Sequence, residues 1–550
     1  MIELLTNKIK QLGYDRVQIT LIDDLQFGDF TTNVAMQYAK EKRMNPRQLA
    51  ESIVSELGEI QGIEKIEIAG PGFINFWLSD DYLVRSVAAD IEVLDVLSAQ
   101  KVLVEHSSPN LFKPFHIGHT MNNIIGEAIA GLYRKSLADV TVVSYPSDVS
   151  LGIGKAVWAL VEKGVETLNQ KQTLVDKLQF LGECYVFGTR RYDEDELVQQ
   201  QVRDITTGIY EQTSGQYWDA YLIGKNITLE YFKSITARLG SEFSDFIFES
   251  EAGKAGQQIV SDHMNDVFTA SDGAVVYEGE QDGLHTRVFI NSAGYPTYEA
   301  KDLGLIKIKF DRFKPDTSVV VTDAEQTQYF KVMLSAAGKI NPDWQQKTRH
   351  ITHGRMTFKG KRMSSRLGGI PTAEEVLDFL VEEVNEKAEG NISNDDCVKI
   401  AIAALKFSVL KSSPGSAVNF DPETSLSFEG DSGPYLQYSA VRIGSVLAKA
   451  VESDLGPELA ALQSEDLELA RLLSRYEIIM QQSLNELAPQ VLVRYLLQLS
   501  QLFNSYYAVN KLIDADNIAL SQHRLALITK IRNILIDGLQ VLGIQIPEKM

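Results

Sequence analysis

The chain is poor in cysteine, in positive charge and in long apolar runs, and each shortage closes off a class of protein. Two cysteines, Cys184 and Cys397, stand far apart in 550 residues. They can build neither a disulfide framework nor a cysteine-rich zinc site, so a reducing, cytoplasmic setting is expected, with no structural zinc. No stretch approaches the roughly 18 uninterrupted apolar residues of a membrane helix, so no membrane partner is expected. The opening Met1-Ile-Glu-Leu-Leu carries an acid and no basic segment, unlike a secretory signal. Lys and Arg number 53 against 74 Asp and Glu, a net charge of −21. That balance argues against a protein that coats nucleic acid without preference, and no DNA partner is expected. A nucleic acid held on a local basic face stays open. Apolar residues at 44% and charged residues at 23% lie near globular averages, and the length is too great for one hydrophobic core. A large multidomain protein, most simply an enzyme, is what remains.

Periodicity divides the chain in three. Residues 1–80 read as a small α+β domain. Asn45-Pro46 opens a helix through Leu49, Ile53 and Leu57, Ile63 to Ile68 alternates as a half-buried strand does, and Phe73 to Leu78 is a second strand. Asp80 to Gln100 reads as a connecting helix. Residues 81–393 form the second domain. Lys101-Val-Leu-Val-Glu is a strand, a Ser/Pro/Asn loop follows, and Ile117 to Leu137 is a long helix leading to the strand Val140 to Ser144. Strand, loop, helix and strand in that order are the βαβ signature of a parallel, Rossmann-type nucleotide-binding sheet. A polar, mostly helical insertion spans about 150–255. Strand patterns at Ala274–Glu278, Thr286–Asn291 and Ser318–Thr322 are expected to complete the sheet after it. From 394 to 550 the pattern is helical without strand candidates, an all-α bundle.

The chemistry concentrates in two places. Three of the eight histidines fall in Glu105-His-Ser-Ser-Pro-Asn-Leu-Phe-Lys-Pro-Phe-His-Ile-Gly-His119. His116-Ile-Gly-His119 sits where loop becomes helix, and a helix N-terminus is an anion site. Gly118 has no side chain to block a nucleotide, and the two imidazoles can donate to phosphoryl oxygens as charge builds. Zinc would need a third ligand that is not nearby, so no metal site is assigned. The plain alternative is a pair of helix-start histidines making local caps. The second place is Gly354-Arg-Met-Thr-Phe-Lys-Gly-Lys-Arg-Met-Ser-Ser-Arg-Leu-Gly-Gly369, which gathers Lys359, Lys361, Arg362 and Arg366 among glycines and hydroxyls in an acidic chain. Such a loop suits a leaving pyrophosphate. Gly152-Ile-Gly-Lys155 is not a P-loop, since Val149 occupies the first glycine position and Ala156 follows the lysine.

His-Ile-Gly-His before the insertion and Arg-Met-Ser-Ser-Arg after it resemble the HIGH and KMSKS signatures of class I aminoacyl-tRNA synthetases. Within that class the chain resembles the arginyl-tRNA synthetase family nearly end to end. Gly28-Asp-Phe-Thr-Thr-Asn and Ala69-Gly-Pro-Gly-Phe-Ile-Asn-Phe are similar to the family's N-terminal domain, and Val104 to His119 is the most specific stretch. Gly433-Pro-Tyr-Leu-Gln-Tyr-Ser-Ala-Val-Arg-Ile, Phe503-Asn-Ser-Tyr-Tyr and the ending Val541 to Met550 resemble its helical anticodon-binding domain.

The resemblance implies an arginine–tRNA ligase with L-arginine, ATP accompanied by Mg²⁺, and tRNA(Arg) as partners, working as a monomer. It implies catalytic roles for His116, His119, Lys113 and Arg362, and ATP contacts by Gly118, His116, His119, Met363, Ser364, Ser365 and Arg366 of the loop 359–369. Position four of KMSKS is Ser365 here, and Lys113, three residues before His116, matches the upstream lysine thought to supply the missing charge. Glu105, Asn110, Tyr298, Asp302 and Gln326 match the family's arginine pocket. A guanidinium's planar fork of donors calls for acidic and amide oxygens, and Tyr298 and Asp302, spaced i,i+4, would share one helical face. Asp302 and Tyr298 are expected on the guanidinium, the other three on the remaining polar groups. For tRNA contacts the resemblance offers Asn75 and Phe76 at the elbow and Tyr435, Asn504 and Tyr507 in the bundle, where most of the aromatics are core. Two segments depart from the family: Thr120-Met-Asn-Asn after HIGH, and Tyr145-Pro-Ser-Asp-Val-Ser-Leu-Gly-Ile-Gly after the next strand. A class I synthetase for another amino acid, lysine above all, and a catalytically silent tRNA-binding paralogue are the alternatives.

Overall fold

A computed structural model describes residues 1–91, 93–359 and 371–550. The N-terminal region carries α1 (Ile2–Gln11), β1 (Thr20–Leu21), β2 (Phe30–Thr32), α2 (Val34–Lys42), α3 (Pro46–Leu57), β3 (Ile63–Ala69), β4 (Phe73–Leu78) and α4 (Asp80–Ala88). Its strands form an antiparallel sheet in the order β1-β2-β4-β3. Apolar stripes at helical spacing (Leu5 and Ile9; Val34 and Tyr38; Leu49, Ile53 and Leu57) are buried with Ile74, Phe76 and Leu78 of β4. Asn45 caps α3 with Pro46 at its first turn. The connecting helix ends at Ala88, twelve residues short of the expected Gln100. In the segment after it Val93 and Val96 are exposed, so its apolar residues do not gain the burial that holds a short helix.

The second region follows as β5 (Lys101–Glu105), α5 (Ile117–Lys135), β6 (Asp139–Ser144), α6 (Leu151–Glu162), α7 (Leu174–Glu194), α8 (Glu196–Glu211), α9 (Gln216–Arg238), β7 (Asp245–Phe246), α10 (Glu249–Asp262), β8 (Thr269–Ser271), β9 (Ala274–Tyr277), β10 (Arg287–Ile290), α11 (Tyr298–Phe313), β11 (Thr317–Asp323), α12 (Thr327–Ile340), β12 (Thr348–His353), β13 (Met356–Phe358) and, further on, β14 (Val418–Phe420). The central sheet is parallel throughout, in the order β12-β11-β5-β6-β7. The order reverses between β5 and β11, and the crevice at the carboxyl ends of strands flanking such a point is where an open α/β sheet takes its ligand. Glu105 ends β5, Val321 and Asp323 end β11, and His353 ends β12.

Two sequence expectations fail here. The strands at 274–278 and 286–291 do not extend the parallel sheet; with β8 they make a separate antiparallel sheet, β10-β9-β8. The links between them are too short for the crossover that parallel pairing demands, so they fold back as hairpins. Only β11 of the three expected strands joins the central sheet, and β7 and β12 complete it. Nor is the region after 394 purely helical: β14 pairs in parallel with β13. A three-residue strand leaves no periodicity to read and owes its existence to its partner.

The chain forms two compact units. One comprises Met1–Glu92, Tyr438–Gln481 and Arg494–Gly538; the other comprises Val93–Gln437, Gln482–Val493 and Leu539–Met550. In the first unit Asp29, from the Gly-Asp-Phe segment, is buried and faces Arg471 and Arg475 at 3.7 and 3.8 Å. In the second, the last residues return to the sheet region. Lys406 donates to the Gly543 carbonyl at 2.5 Å, and Gly131 of α5 lies so close to the Val541 carbonyl that a Cβ there would stand 2.0 Å from it. No described helix is long and apolar enough to cross a membrane.

Candidate active site

The loop between β5 and α5 is held in an unusual path before it reaches the helix. Ser107 and Phe112 have φ of +57° and +63°, left-handed values that cost a non-glycine residue energy and persist only where neighbours hold them. Asn122 supplies one such hold. Its Oδ1 accepts the Ser107 N–H at 2.6 Å, and its Nδ2 donates to the Val321 carbonyl at 2.6 Å. The same amide lies 3.3 Å from His353 Nε2, while His353 Nδ1 donates to the Gly354 carbonyl at 2.8 Å. One side chain of α5 thus ties together the ends of β5, β11 and β12. It belongs to the Thr-Met-Asn-Asn departure, whose structural role the motif match did not reveal.

At the start of α5 the two histidines do form local caps, and in doing so they fix their own tautomers. The Gly118 N–H donates to His116 Nδ1 at 3.1 Å and the His116 N–H donates to His119 Nδ1 at 3.3 Å, a reciprocal capping box. With both Nδ1 atoms accepting, each neutral ring carries its proton on Nε2. The rings stack with centroids 3.7 Å apart. Burial and the nearby Lys113 charge hold His116 below the usual imidazole range; burial, His116 and Lys113 push His119 down to about 3. Both are therefore neutral N–H donors at pH 7. A Cβ on Gly118 would stand 3.0 Å from the His116 ring, so glycine is what lets that ring turn back onto the helix end.

These histidines open into a cleft of about 510 Å³ that also receives Gly118, Glu105, Asn110, Tyr298, Asp302 and Gln326. Glu105 is buried with an ion pair to the equally buried Lys309 of α11. Tyr298 and Asp302 lie one turn apart on α11, Tyr298 largely exposed at the rim. Asp302 accepts a hydrogen bond from the Tyr329 hydroxyl, and Tyr329 also lies 2.9 Å from the Tyr298 carbonyl. Burial raises the Asp302 carboxyl to about 7; the Tyr329 hydrogen bond opposes this, and the charge of Glu105 adds to it. Asn110 and Gln326 are exposed on the cleft wall.

Several cleft residues were not singled out from the sequence. Glu249, the first residue of α10, is buried and is held by Lys301 and by the Ser147 hydroxyl. Tyr145, Ser147, Tyr329 and His353 line the cleft as well. The departure at 145–156 finds its physical meaning here. Asp148 is fully buried and accepts from Lys225 at 2.8 Å, from Tyr221 at 3.0 Å and from the Ser250 backbone and hydroxyl at 2.9 and 2.8 Å. It binds the strand end to α9 and α10. Ser150 caps α6, and Gly152 and Gly154 lie inside that helix against Tyr185 and Thr206, as packing glycines.

The remaining expected site residues lie elsewhere. Lys113 does not line this cleft; its ammonium sits 4.1 Å over the Tyr185 ring in a separate hollow of about 1070 Å³ that also holds Lys163, Phe187 and Arg190. Arg362, Met363, Ser364, Ser365 and Arg366 lie outside the described residues, and of the loop 359–369 only Lys359, which is exposed, lies within them. On the N-terminal sheet, Phe76 is fully buried, which closes it to nucleic acid contact. Asn75 is buried too, its amide bonded to Thr31 at 2.7 Å and to the Phe27 carbonyl at 3.1 Å. Alternation along β4 sends Phe76 inward against the helices, and the exposed aromatic there is Phe73. Tyr435 is half-buried in the helix Gly433–Glu452. Asn504 and Tyr507 meet around Arg442, which donates to Asn504 at 2.8 Å and lies 5.1 Å over the half-exposed Tyr507 ring. Among the described residues no cluster of three His, Cys, Asp or Glu side chains could hold a metal ion.

Comparison with known proteins covers the whole chain. The family model for the tRNA synthetases class I (R) catalytic domain matches residues 84–421, the DALR anticodon binding domain matches 436–550, and the arginyl tRNA synthetase N-terminal domain matches 1–78. The arginine–tRNA ligase of Fusobacterium nucleatum is 29% identical over 97% of this chain and 95% of its own length. That of Limosilactobacillus reuteri is 29% identical over 93% and 92%. The fold is that of Thermus thermophilus arginyl-tRNA synthetase, with a TM-score of 0.82 at 23% identity over 100% of this chain and 99% of that one. The Plasmodium falciparum enzyme gives 0.82 at 20% identity over the same shares.

Proposed function

The chain belongs to the arginyl-tRNA synthetase family, and from that premise we propose that it is an arginine–tRNA ligase in which one cleft activates the amino acid. ATP enters as its Mg²⁺ complex, and the arginine carboxylate attacks the α-phosphorus in line. Arginyl-adenylate forms and pyrophosphate leaves. The arginyl group then passes to the 2′-hydroxyl of the terminal adenosine of tRNA(Arg).

One observation carries the reading. A helix N-terminus bearing two neutral imidazoles, each with its proton on Nε2, shares a cleft with four carboxylates, Glu105, Glu249, Asp302 and Asp323. The first half suits a pentavalent phosphorus, whose growing negative charge is met by fixed N–H donors that need no reorganisation. The second half suits a cation. Glu105 and Glu249 pair with the buried ammonium groups of Lys309 and Lys301, whereas Asp302 makes no ion pair among the described residues and is left for a cationic ligand. Asp302 and Tyr298 bind the guanidinium; Glu105, Asn110 and Gln326 take the remaining polar groups of arginine. Gly118, with His116 and His119, takes the nucleotide phosphates. The loop 359–369, through Arg362, Met363, Ser364, Ser365 and Arg366, steadies the departing pyrophosphate, and Lys113 adds positive charge beside His116.

The test is ATP–pyrophosphate exchange with each of the twenty amino acids, with and without tRNA. Exchange with arginine alone, dependent on tRNA, is the expected result. Exchange with lysine would keep the fold and overturn the pocket, and no exchange with any amino acid would favour a silent tRNA-binding protein.

A further inference from the structure

Tyr145, just beyond the end of β6, lines the cleft, yet its hydroxyl is buried and has no hydrogen-bond partner among the described residues. A buried hydroxyl in that state destabilises the protein that carries it, because water has been removed and nothing replaces it. The surroundings deepen the anomaly. The charges acting on this phenol are those of Asp302, Glu249, Glu105 and Asp148, and with burial foremost they hold it well above the ordinary tyrosine range. It stays neutral and keeps both its proton and its lone pairs.

The neighbouring carboxylates already hold donors: Glu105 from Lys309, Asp302 from Tyr329, and Glu249 from Lys301 and Ser147. An incoming guanidinium brings five N–H donors in one plane and no acceptor. Beside these carboxylates the phenol oxygen of Tyr145 is an uncharged, buried acceptor with no donor of its own among the described residues.

Resting on the arginine reading of the cleft, we propose that Tyr145 is a substrate-contacting specificity residue, whose hydroxyl oxygen accepts a guanidinium N–H. The hydroxyl is unsatisfied in the free protein and satisfied by the ligand. A compact ammonium, as in lysine, presents its donors around one point rather than along a fork and does not reach both this oxygen and the carboxylates.

The test is Tyr145→Phe, which removes one oxygen and keeps the ring. Direct binding of radiolabelled arginine to the full chain is measured by equilibrium dialysis, beside exchange kinetics and thermal melting. Loss of a hydrogen bond to a charged ligand should weaken arginine binding about tenfold to a hundredfold. The KM for ATP should not move, and kcat should stay within about twofold. The melting temperature should hold or rise, since an unpartnered buried hydroxyl has been deleted; a packing role for the hydroxyl would lower it instead. Arginine binding that is equal in wild type and variant overturns the inference and leaves the arginine reading standing. A wild-type chain that binds no arginine overturns both.

Discussion

Asp302 sets up a pH dependence of arginine binding that can be worked out in advance. Burial raises its carboxyl to about 7, so near neutrality half the free molecules carry a proton there. A guanidinium stays charged at every pH of interest and favours the ionised carboxylate beside it, which lowers that pKa in the complex. The sign follows: arginine binding releases a proton, affinity is full above pH 7, and it falls as the pH drops through 7. If the cation binds only the ionised form, the apparent Kd rises about tenfold between pH 8 and pH 6, and by about tenfold more at pH 5. Burial holds His116 and His353 below the usual imidazole range, and His119 and His350 lie at about 3 and about 4. Calorimetry of arginine binding at pH 7, in buffers of differing ionisation enthalpy, should detect about half a proton released per arginine. Asp302→Asn should bind weakly at all pH values and release none. A wild-type Kd that is flat from pH 6 to 8 would refute the reasoning, as would an Asp302→Asn variant that kept both the affinity and the slope.

Other outcomes follow from the same geometry. His116→Ala or His119→Ala should lower turnover in the exchange assay by about 10²–10³, with the KM for arginine little changed; loss of the capping box should cost only about 1 kcal/mol of stability in chemical denaturation. Lys309→Met strands the buried Glu105 carboxylate and should destabilise the fold by about 3–5 kcal/mol, read from the denaturant midpoint, whereas exposed pairs such as Lys307–Asp311 should matter little. Lys113→Ala should slow exchange without altering arginine affinity; Tyr185→Ala, which frees the same ammonium from its ring, should not slow it.

Much of the site was legible because its chemistry is local. A helix that begins His-Ile-Gly-His carries its anion site in the backbone, and Tyr298 and Asp302 lie one turn apart on any helix that holds them. Short-range alternation likewise showed β4, β5 and the long helix α5. What stayed hidden was whatever needed a distant partner. Glu249 is an ordinary acid at a helix start until α11 brings Lys301 against it, and Tyr145 is one tyrosine among many until four carboxylates from separate parts of the chain act on it. The inward turn of Phe76 depends on which face of the N-terminal sheet its helices cover. Asn122 gave no signal, since an amide's value lies in the three strand ends it joins.

The sequence by itself determined the parallel-sheet class and the motif that opens the long helix α5, because periodicity, caps and motif spacing are properties of neighbouring residues. The tertiary structure alone decided which strands share a sheet, which acids share a cleft, and what charge each bears. Those follow from burial and from contacts between residues far apart in sequence, such as Glu105 with Lys309, that no local pattern encodes.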